Sequence, residues 1–391
     1  MTLGYLVPEF PNQTHAFFCR EIEAIEASGT PVRIYSTRRP APGACPHAFA
    51  ERMTARTTYL FPPRPGAALA WMVRRPLRVM KAKAYVLGLS ETPLAGRAKL
   101  LGLLPSAAML AQDARLNGVT HLHIHSCANA AHLGALAHIL DGLPYSLTLH
   151  GDLPVYGTDH GAKMARARFV AAVTAPLAKQ IATVSPATDA PVIWMGVDGA
   201  RFAPGAAPGN EVFTVATVAR LNPTKGHRFF LQALALLRDR GLVVRYLIAG
   251  DGPARAGIEA LIGQLGLGDQ VQMLGALDED HILSLLHRVD ALALTSVGQG
   301  EAAPVTVMEA MACGVPVICS VIGGTPDMIR DGHDGLLVPQ EDVAAIADAV
   351  MRLARDPAVA QRIGTAARAT ALERFDSRTN AAKLLSRITA G

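Results

Sequence analysis

The segment that most constrains the fold of this chain runs from Asp290 to Pro316. A short apolar run follows Asp290 and breaks into a glycine-rich loop, which is typical of a buried parallel strand. Pro304 suits the first turn of a helix, and Gly314 suits its end. Such a unit directs unpaired N–H groups and the positive end of a helix dipole toward the carboxyl edge of a sheet. We expect a phosphate to bind there.

Two carboxylates flank this predicted anion site. Glu301 lies in the loop before the helix, and Glu309 lies more than one turn into it. An ionised carboxylate accepts two hydrogen bonds from a vicinal diol, so the pair suits the hydroxyls of a sugar and a ribose. The plainer alternative is that Glu301 only favours the helix N-terminus and Glu309 faces solvent.

The sequence around the two glutamates supports the first interpretation. It has Glu301, then Glu309 to Val317, then Gly323 to Asp327, and then Gly335 to Pro339, closely spaced and in this order. Here the chain resembles the retaining glycosyltransferases of family 4, whose signature is E-x7-E with E-A-M-A-x-G-x-P-V, G-G-x-P-E and G-L-L-V-P. It departs from the family at two places: Ala302-Ala303 replaces the usual residues after the first glutamate, and Asp327 replaces the glutamate after Gly-Gly-x-Pro.

The fold class is predicted by the alternation of strands and helices and by the resemblance. Strands alternate with helices in both halves of the chain, which predicts an α/β protein with two doubly wound Rossmann-like domains. The resemblance implies that these face a cleft, as in the GT-B fold. We expect an acceptor-binding domain over 1–202, a Pro- and Gly-rich linker over 203–210 and a nucleotide-sugar-binding domain over 211–374. A final helix over 375–391 is expected to return to the first domain.

Two cations are predicted to hold the donor diphosphate. Arg220 and Lys225 lie in a segment that resembles the family's G-R-L-x-x-x-K-G, with Ala219 where glycine is usual. A fixed guanidinium and a mobile ammonium at one strand end suit a diphosphate, although alone they would indicate only a solvated turn. The other donor-binding candidates are Glu309, Gly250, Ala303 and Val305.

The first strand, Leu3 to Pro8, leads into a turn that contains Asn12, Gln13 and Thr14. The dinucleotide motif G-x-G-x-x-G is absent, which argues against a nicotinamide dehydrogenase. In the resembled family this loop faces the acceptor, so the three residues are acceptor-binding candidates. A turn in which Thr14 caps the helix beginning at His15 is an equally open interpretation.

Histidines end two of the predicted strands. His121, His123 and His125 alternate on one strand, but we expect buried or loop-facing imidazoles there, and His125 is an acceptor-binding candidate at the cleft edge. His150-Gly151-Asp152 resembles the family's H-G-x-D or H-G-D loop, which makes His150, with Glu301, a catalytic candidate that contacts the donor sugar. Asp152 is alternatively a loop cap.

No metal or other cofactor is expected. Asp278-Glu-Asp280 matches D-x-D, but it precedes a predicted helix and therefore indicates an acidic N-terminal cap. The five cysteines are scattered without a C-x-x-C, so we expect them to be reduced.

The charge of the chain is uneven. Residues 1–200 contain 19 Lys and Arg against 12 Asp and Glu. Apolar and basic residues interleave over 67–104, with Pro76 interrupting any continuous helix, so this segment suits either an anionic membrane surface or an ordinary surface helix. Nucleic acid is not expected, because aromatic residues do not interleave with the basic ones. The first strand begins without a secretory signal, which predicts the cytoplasm, with peripheral contact at the inner face of the plasma membrane.

These features together predict a metal-independent, retaining hexosyltransferase. It would move a sugar from a UDP- or GDP-linked donor to a saccharide or lipid-linked saccharide, as in the exopolysaccharide and colanic-acid-type enzymes that the chain resembles. Three alternatives remain open: a sugar-nucleotide epimerase of the same fold, a non-catalytic subunit of a polysaccharide assembly complex, and a membrane-binding module without chemistry.

Overall fold

The computed structural model describes residues 1–63, 65–206, 209–299 and 301–390. The chain forms two compact units. Unit 1 comprises Met1–Trp194 together with Ala381–Gly391, and unit 2 comprises Met195–Asn380.

Unit 1 is built on a parallel six-stranded sheet in the order β3-β2-β1-β4-β5-β6. Its strands are β1 (Thr2–Val7), β2 (Val32–Ser36), β3 (Thr57–Tyr59), β4 (Val119–Ile124), β5 (Tyr145–Leu149) and β6 (Val170–Ala172). Its helices are α1 (Ala16–Ala27), α2 (Ala50–Arg56), α3 (Pro65–Val73), α4 (Pro76–Leu87), α5 (Leu94–Leu101), α6 (Leu104–Leu116), α7 (Asn129–Asp141), α8 (His160–Met164) and α9 (Ala175–Val184).

Unit 2 repeats this topology with a parallel six-stranded sheet in the order β12-β11-β10-β7-β8-β9. Its strands are β7 (Thr214–Val218), β8 (Arg245–Ala249), β9 (Val271–Gly275), β10 (Ala291–Leu294), β11 (Val317–Ser320) and β12 (Leu336–Val338). Its helices are α10 (His227–Asp239), α11 (Arg255–Gln264), α12 (Glu279–Leu286), α13 (Val305–Ala312), α14 (Thr325–Met328), α15 (Val343–Arg355) and α16 (Pro357–Arg374), and α17 (Ser377–Thr389) begins in this unit.

The strand order determines where each unit can bind a ligand. Parallel strands are covered on both faces, and β1 and β10 are accordingly buried over almost their whole length. The direction in which successive strands are added across the sheet reverses between β1 and β4 in unit 1 and between β7 and β10 in unit 2. Ligands of open α/β sheets bind at the carboxyl ends of the strands beside such a reversal. The two predicted doubly wound folds are thus confirmed.

The division between the units falls earlier than the linker predicted over 203–210. The backbone N–H of Val197 donates to the carbonyl of Phe375 at 2.7 Å, and the N–H of Ser377 donates to the carbonyl of Val197 at 3.0 Å. These bonds attach the segment after Trp194 to unit 2. Within the predicted linker, residues 207 and 208 lie outside the described residues.

The final helix, α17, contributes to both units. From Ala381 onward it belongs to unit 1, where Leu384 and Ile388 are buried in the same apolar cluster as Leu3 and Ile22. The predicted start of this segment at Phe375 is six residues earlier than the structural division, because the first turn of α17 still belongs to unit 2.

Local predictions differ from the structure at two places. The N-cap of α1 is His15, and no side chain caps this helix, so Thr14 is not the cap. Pro76 begins α4 rather than merely breaking a helix, because the first helical turn needs no N–H from proline.

One stretch of the described chain, Leu94–Leu116, is long and apolar enough to pass a length-and-composition test for a membrane span. An 18-residue window of this stretch has a mean hydropathy of 1.2, and 39% of that window is buried inside the structure. It comprises two helices, α5 and α6, of which α6 has buried core residues such as Ala107 and Leu110. This is weak evidence, since core helices of soluble proteins pass the same test.

Candidate functional site

The loops after β7 and β10 lie side by side at the carboxyl edge of the unit 2 sheet. The backbone N–H of Val297 donates to the carbonyl of Thr224 at 2.8 Å, and the hydroxyl of Thr295 donates to the carbonyl of Gly226 at 3.1 Å. β7 and β10 are neighbouring parallel strands. These bonds therefore join the predicted phosphate-binding loop to the loop that contains Glu301.

A lysine and a glutamate from these two loops form an ion pair. Nζ of Lys225 donates to Oε2 of Glu301, and the hydroxyl of Ser296 donates to the same oxygen at 2.8 Å. The side chains of Lys225 and Glu301 are 22% and 11% exposed. The structure therefore brings together two residues predicted separately for phosphate and sugar, whereas the side chain of Arg220 is exposed on the same loop.

The Gly-Gly-Thr segment after β11 holds the backbone of Glu301 in place. Gly323 has a φ of +54°, and a Cβ there would overlap the carbonyl oxygen of Glu301. The N–H of Gly324 donates to the carbonyl of Ala302 at 2.8 Å. The hydroxyl of Thr325 fixes the loop by donating to the carbonyl of Ser320 at 2.7 Å. This supporting role of the motif was not predicted.

Gly250 approaches the same edge from β8. Its φ is +144°, and a Cβ would overlap the carbonyl oxygen of Ala219 at the end of β7. The loops after β7 and β8 can therefore come this close only with glycine at position 250. A direct contact of Gly250 with a donor stays a prediction.

The helix that follows Glu301 begins one residue later than predicted. Pro304 is the N-cap of α13, and Val305 is its first residue, half-buried. Ala303 and Glu309 are each 5% exposed. Glu309 is thus not a solvated face residue, which removes the plainer interpretation for it.

The negative charges of the site affect two buried thiols. Burial, with Glu309 nearby, raises the pKa of Cys313 to about 12. Burial, with Glu301 nearby, raises the pKa of Cys319. Both thiols therefore remain protonated at neutral pH and do not act as nucleophiles.

In unit 1, His150 follows β5 and contacts His125, which follows β4. Nε2 of His150 lies 3.0 Å from Nδ1 of His125, and Nε2 of His125 lies 3.2 Å from Oε1 of Glu21. The backbone N–H of His150 donates to the hydroxyl of Tyr156 at 2.9 Å. The His125 side chain is only 1% exposed, so it supports His150 rather than lying at a surface edge as predicted.

Burial keeps both imidazoles neutral. Desolvation is the main cause that lowers the pKa of His150 to about 3, and the neighbouring His125 lowers it as well. Desolvation is also the main cause that lowers the pKa of His125 to about 3, and His15 lowers it as well. Neutral rings can each donate from one nitrogen and accept at the other.

The other two histidines of β4 bind hydroxyls of β5. His121 and His123 both contact the hydroxyl of Ser146 at 2.8 Å, and His123 also contacts that of Thr148 at 2.8 Å. Among the described residues there is no group of three His, Cys, Asp or Glu that could hold a metal ion. The imidazoles are buried side chains bonded to a neighbouring strand, as predicted.

The predicted acceptor loop after β1 is ordered by local bonds. The backbone N–H of Gln13 donates to Oδ1 of Asn12 at 2.7 Å, and the carbonyl of Gln13 contacts Nε2 of His47 at 2.7 Å. Asn12 and Gln13 are half-buried, and Thr14 is exposed. Their role toward an acceptor stays a prediction.

Two acidic side chains accept hydrogen bonds from nearby groups, one in a loop and one at a helix N-terminus. Asp152 accepts a hydrogen bond from Nε2 of Gln180 at 2.8 Å. The carboxylate of Asp278 accepts from the backbone N–H of His281 at 2.9 Å, which confirms the acidic cap predicted for this D-x-D sequence.

A cavity of about 900 Å³ lies at the opposite, amino edge of the unit 2 sheet. Its lining includes Phe213, Asp290 and Pro316, each of which precedes a strand. None of the predicted site residues lines it.

The second half of the chain is similar in sequence to known glycosyltransferases. Residues 203–370 match the family described as "Glycosyl transferases group 1". Over 159 residues, 39% of each chain, the protein is 36% identical to a putative colanic acid biosynthesis glycosyltransferase, WcaL, of Escherichia coli. Over 203 residues it is 32% identical to a GDP-mannose-dependent alpha-(1-6)-phosphatidylinositol monomannoside mannosyltransferase of Mycolicibacterium smegmatis, with 48% of this chain and 53% of that one covered.

The fold is similar over the whole length to a solved structure. HepE of Anabaena, crystallised with UDP-glucose, has a TM-score of 0.77 at 19% identity, with 100% of both chains covered. The chain spans about two fifths of the length of the first curated relatives it matches. The protein therefore has the two-domain GT-B fold, and it resembles the group 1 glycosyltransferases of exopolysaccharide assembly, with the family match in unit 2.

Proposed function

We propose that the protein is a retaining hexosyltransferase that transfers a sugar from a nucleotide-sugar to a saccharide or lipid-linked saccharide. The single observation that supports this most strongly is the meeting of Lys225 and Glu301 at the carboxyl edge of the unit 2 sheet. The donor is UDP- or GDP-linked: HepE was crystallised with UDP-glucose, and the mycobacterial relative is GDP-mannose-dependent.

The proposed roles follow from charge and position. Arg220, Lys225 and the N-terminus of α13 bind the diphosphate, because they offer two cations and the N–H groups of a first helical turn at one sheet edge. Glu301 binds sugar hydroxyls and Glu309 binds the ribose. His150 binds the sugar, and Asn12, Gln13 and Thr14 contribute to the acceptor site. Binding of the diphosphate would draw Lys225 away from Glu301 and release that carboxylate for the sugar.

The reaction breaks the bond between the anomeric carbon and the diphosphate oxygen, and the electron pair leaves with the diphosphate. The acceptor oxygen forms the new glycosidic bond on the same face, and its proton passes to the departing diphosphate. Cations and oriented N–H groups stabilise the charge that develops on the leaving group. We therefore propose that the reaction needs no divalent ion.

The acceptor is proposed to be presented at an anionic membrane. Residues 51–100 contain ten Lys and Arg against two Asp and Glu. On α4, Leu77, Met80 and Leu87 are 73%, 65% and 56% exposed and share one helical face. Arg78 and Lys81 are exposed beside this apolar face. Apolar side chains bordered by cations suit the interface of an anionic bilayer.

The neighbouring helix α3 is attached to the core of unit 1 through Trp71. The Trp71 ring is only 8% exposed, the guanidinium of Arg75 lies 3.9 Å from its centroid, and Arg75 also pairs with Asp141 at 3.5 Å. Trp71 therefore anchors α3 and is not part of the exposed face. The proposed membrane surface consists of the outward face of α4.

The test of the proposed function is a panel of UDP- and GDP-sugars incubated with the full chain and a glycan or lipid-linked glycan acceptor. NMR of the anomeric proton identifies the stereochemistry of the product, and the panel is run with EDTA and with added Mg²⁺. We expect one donor to be consumed with retention, at rates that agree within about twofold in the two conditions.

Other outcomes identify the alternatives. Inverted product would contradict the retaining mechanism, and activity only with Mg²⁺ would contradict metal independence. Release of an epimerised nucleotide-sugar without acceptor would indicate the epimerase. A folded protein that binds no donor would indicate a non-catalytic subunit.

A further inference from the structure

We propose that His227 is a positioning residue, which holds the turn that contains Lys225 by donating a hydrogen bond from Nδ1 into the core of unit 2. Its importance for a donor rests on the proposed function, but the hydrogen bonds themselves are a property of unit 2 alone. His227 is the first residue of α10, follows Lys225 by two positions and is only 3% exposed. It therefore lies where the predicted phosphate-binding loop meets the core.

The ring of His227 begins a chain of hydrogen bonds that crosses the unit 2 sheet. Its Nδ1 lies 3.3 Å from the hydroxyl oxygen of Tyr246 on β8. The Tyr246 hydroxyl donates to Oγ1 of Thr217 on β7 at 2.7 Å, and the Thr217 hydroxyl donates to the carbonyl of Ala293 on β10 at 2.7 Å. Because β8, β7 and β10 are neighbours in the sheet, this chain attaches the start of α10 to the centre of the sheet.

The last member of the chain determines the direction of every proton in it. A carbonyl oxygen only accepts, so the single proton of the Thr217 hydroxyl is donated to Ala293. Thr217 must then accept from Tyr246, which uses the single proton of that hydroxyl. The oxygen of Tyr246 is left as an acceptor for His227. The chain therefore requires the proton of the imidazole to lie on Nδ1.

The other ring nitrogen of His227 makes no such bond. Its Nε2 is buried and has no hydrogen-bond partner among the residues that the structure describes. Burial lowers the pKa of His227 to about 4, and the nearby Lys225 lowers it as well, so the ring is neutral at pH 7 and has one proton. A buried nitrogen without a partner is unfavourable. The polar attachment of this side chain therefore depends on Nδ1 alone.

The turn before His227 is held by two separate elements. Gly226 has a φ of +68°, and its carbonyl accepts a hydrogen bond from the hydroxyl of Thr295, after β10, at 3.1 Å. The second attachment is the bond from His227 to Tyr246, whose fully buried ring packs 4.4 Å from that of Phe230. Without this second attachment the turn would be held only by the loop after β10. We therefore expect the backbone around Gly226 to become more mobile when the bond from His227 is removed.

The first measurement is the tautomer of His227 in the full chain, by long-range ¹H–¹⁵N NMR with ¹⁵N-histidine. The signal of His227 is assigned by its absence in His227→Asn. In the wild type near pH 7 we expect the Nδ1–H tautomer. In Tyr246→Phe, which lacks the acceptor, we expect Nε2–H or a mixture. An Nε2–H ring in the wild type, or an unchanged tautomer in Tyr246→Phe, would overturn the proposal.

The second measurement is amide hydrogen exchange of peptides that cover residues 221–228, which needs no donor. In His227→Leu we expect exchange to be about tenfold faster. In His227→Asn it should stay within about twofold, because the amide supplies an N–H at the place of Nδ1. Peptides of α16 are the reference for general loss of stability. Equal exchange in the two variants, or equally faster exchange in α16, would overturn the positioning role. If His227→Leu does not fold, Tyr246→Phe replaces it.

The third measurement connects the turn to a donor. In calorimetric titration with UDP and GDP, we expect His227→Leu to weaken binding about tenfold and His227→Asn to weaken it by less than about twofold. Wild-type affinity in His227→Leu would overturn the role of this residue in the donor site. No binding of either nucleotide to the folded wild type would contradict the proposed function only, because the tautomer and the exchange rates do not depend on a nucleotide.

Discussion

Nζ of Lys225 donates a hydrogen bond to Oε2 of Glu301, although 76 positions separate the two residues. Lys225 belongs to the loop after β7 and Glu301 to the loop after β10, so the ion pair lies where the strand order of the unit 2 sheet reverses. A phosphate and this carboxylate would compete for the same ammonium. In the proposed function, Lys225 binds the phosphate and Glu301 binds the sugar, so substituting either residue should affect nucleotide binding differently.

Glu301→Gln should separate nucleotide binding from transfer. The amide keeps the shape of the side chain but no longer holds the Lys225 ammonium by charge, so we expect UDP or GDP without sugar to bind as tightly as before or several-fold more tightly. Transfer should fall by about a hundredfold, because the contact with the sugar is lost. Calorimetry with the free nucleotide and initial rates with the full donor measure the two effects. Loss of nucleotide binding in this variant would contradict the assignment.

Gly323→Ala should destabilise unit 2. A Cβ at position 323 would overlap the carbonyl of Glu301, and the φ of +54° is unfavourable for alanine. We expect the free energy of unfolding to fall by about 2 kcal/mol or more, measured by urea titration. Gly263→Ala is the control: it lies within α11 with open space around it, and it should be neutral or stabilising by up to about 1 kcal/mol. Equal effects at the two positions would contradict the backbone contact.

Acid should unfold unit 1 before unit 2. The pKa is lowered by burial to about 3 or 4 at a set of unit 1 histidines, namely His15, His121, His125, His132 and His150. In the unfolded chain these rings titrate near 6.5, so between that pH and about 4 the unfolded state binds more protons. Stability therefore falls as pH falls, by about 1.4 kcal/mol per pH unit for each ring.

The two units can be followed separately during this titration. In unit 2, His227 has its pKa lowered by burial to about 4, and Glu21 in unit 1 opposes the trend because its pKa is raised. Both tryptophans, Trp71 and Trp194, belong to unit 1. Their fluorescence should change at a higher pH than the far-UV circular dichroism of the whole chain. Coincident transitions would contradict this order.

The outward face of α4 should bind anionic bilayers. We expect the protein to sediment with vesicles that contain phosphatidylglycerol, not with phosphatidylcholine alone, and to be released by high salt. The double change Leu77→Asp and Met80→Asp should abolish sedimentation. Leu116→Asp is the control, since Leu116 is 77% exposed at the end of α6. Equal loss in the control, or binding that persists in the double variant, would contradict the proposed surface.

Alternation of strands and helices was enough to predict both doubly wound units, because most strands are short apolar runs followed by a helix. The short strands β3, β11 and β12 were not identified in advance, since three or four residues give too little pattern. The boundary at Trp194 was also missed. It depends on backbone bonds between Val197 and the distant Phe375 and Ser377, which composition does not reveal.

The candidate site could be assembled from sequence only in part. The spacing of Glu301 and Glu309 and the resemblance around them located the glutamates, and Lys225 followed from its loop. The role of His125 was not predictable, because the partner that defines it, Glu21, is on a different element more than a hundred positions away. The contact of Gly323 with Glu301 was hidden for the same reason, since a close backbone approach has no local signature.

The proposed function requires that the carboxyl edge of the unit 2 sheet binds a nucleotide diphosphate. The most direct test is calorimetric titration of UDP and GDP into the full chain in EDTA, compared with Arg220→Ala and Lys225→Ala. Arg228→Ala is the control, because Arg228 is a 61% exposed cation close in sequence whose ion pair is with Glu341. We expect one nucleotide to bind, with affinity reduced about tenfold to a hundredfold in the first two variants and by less than about twofold in the control. Binding that is equal in all four proteins, or no binding to the folded wild type, would contradict a diphosphate site at this sheet edge.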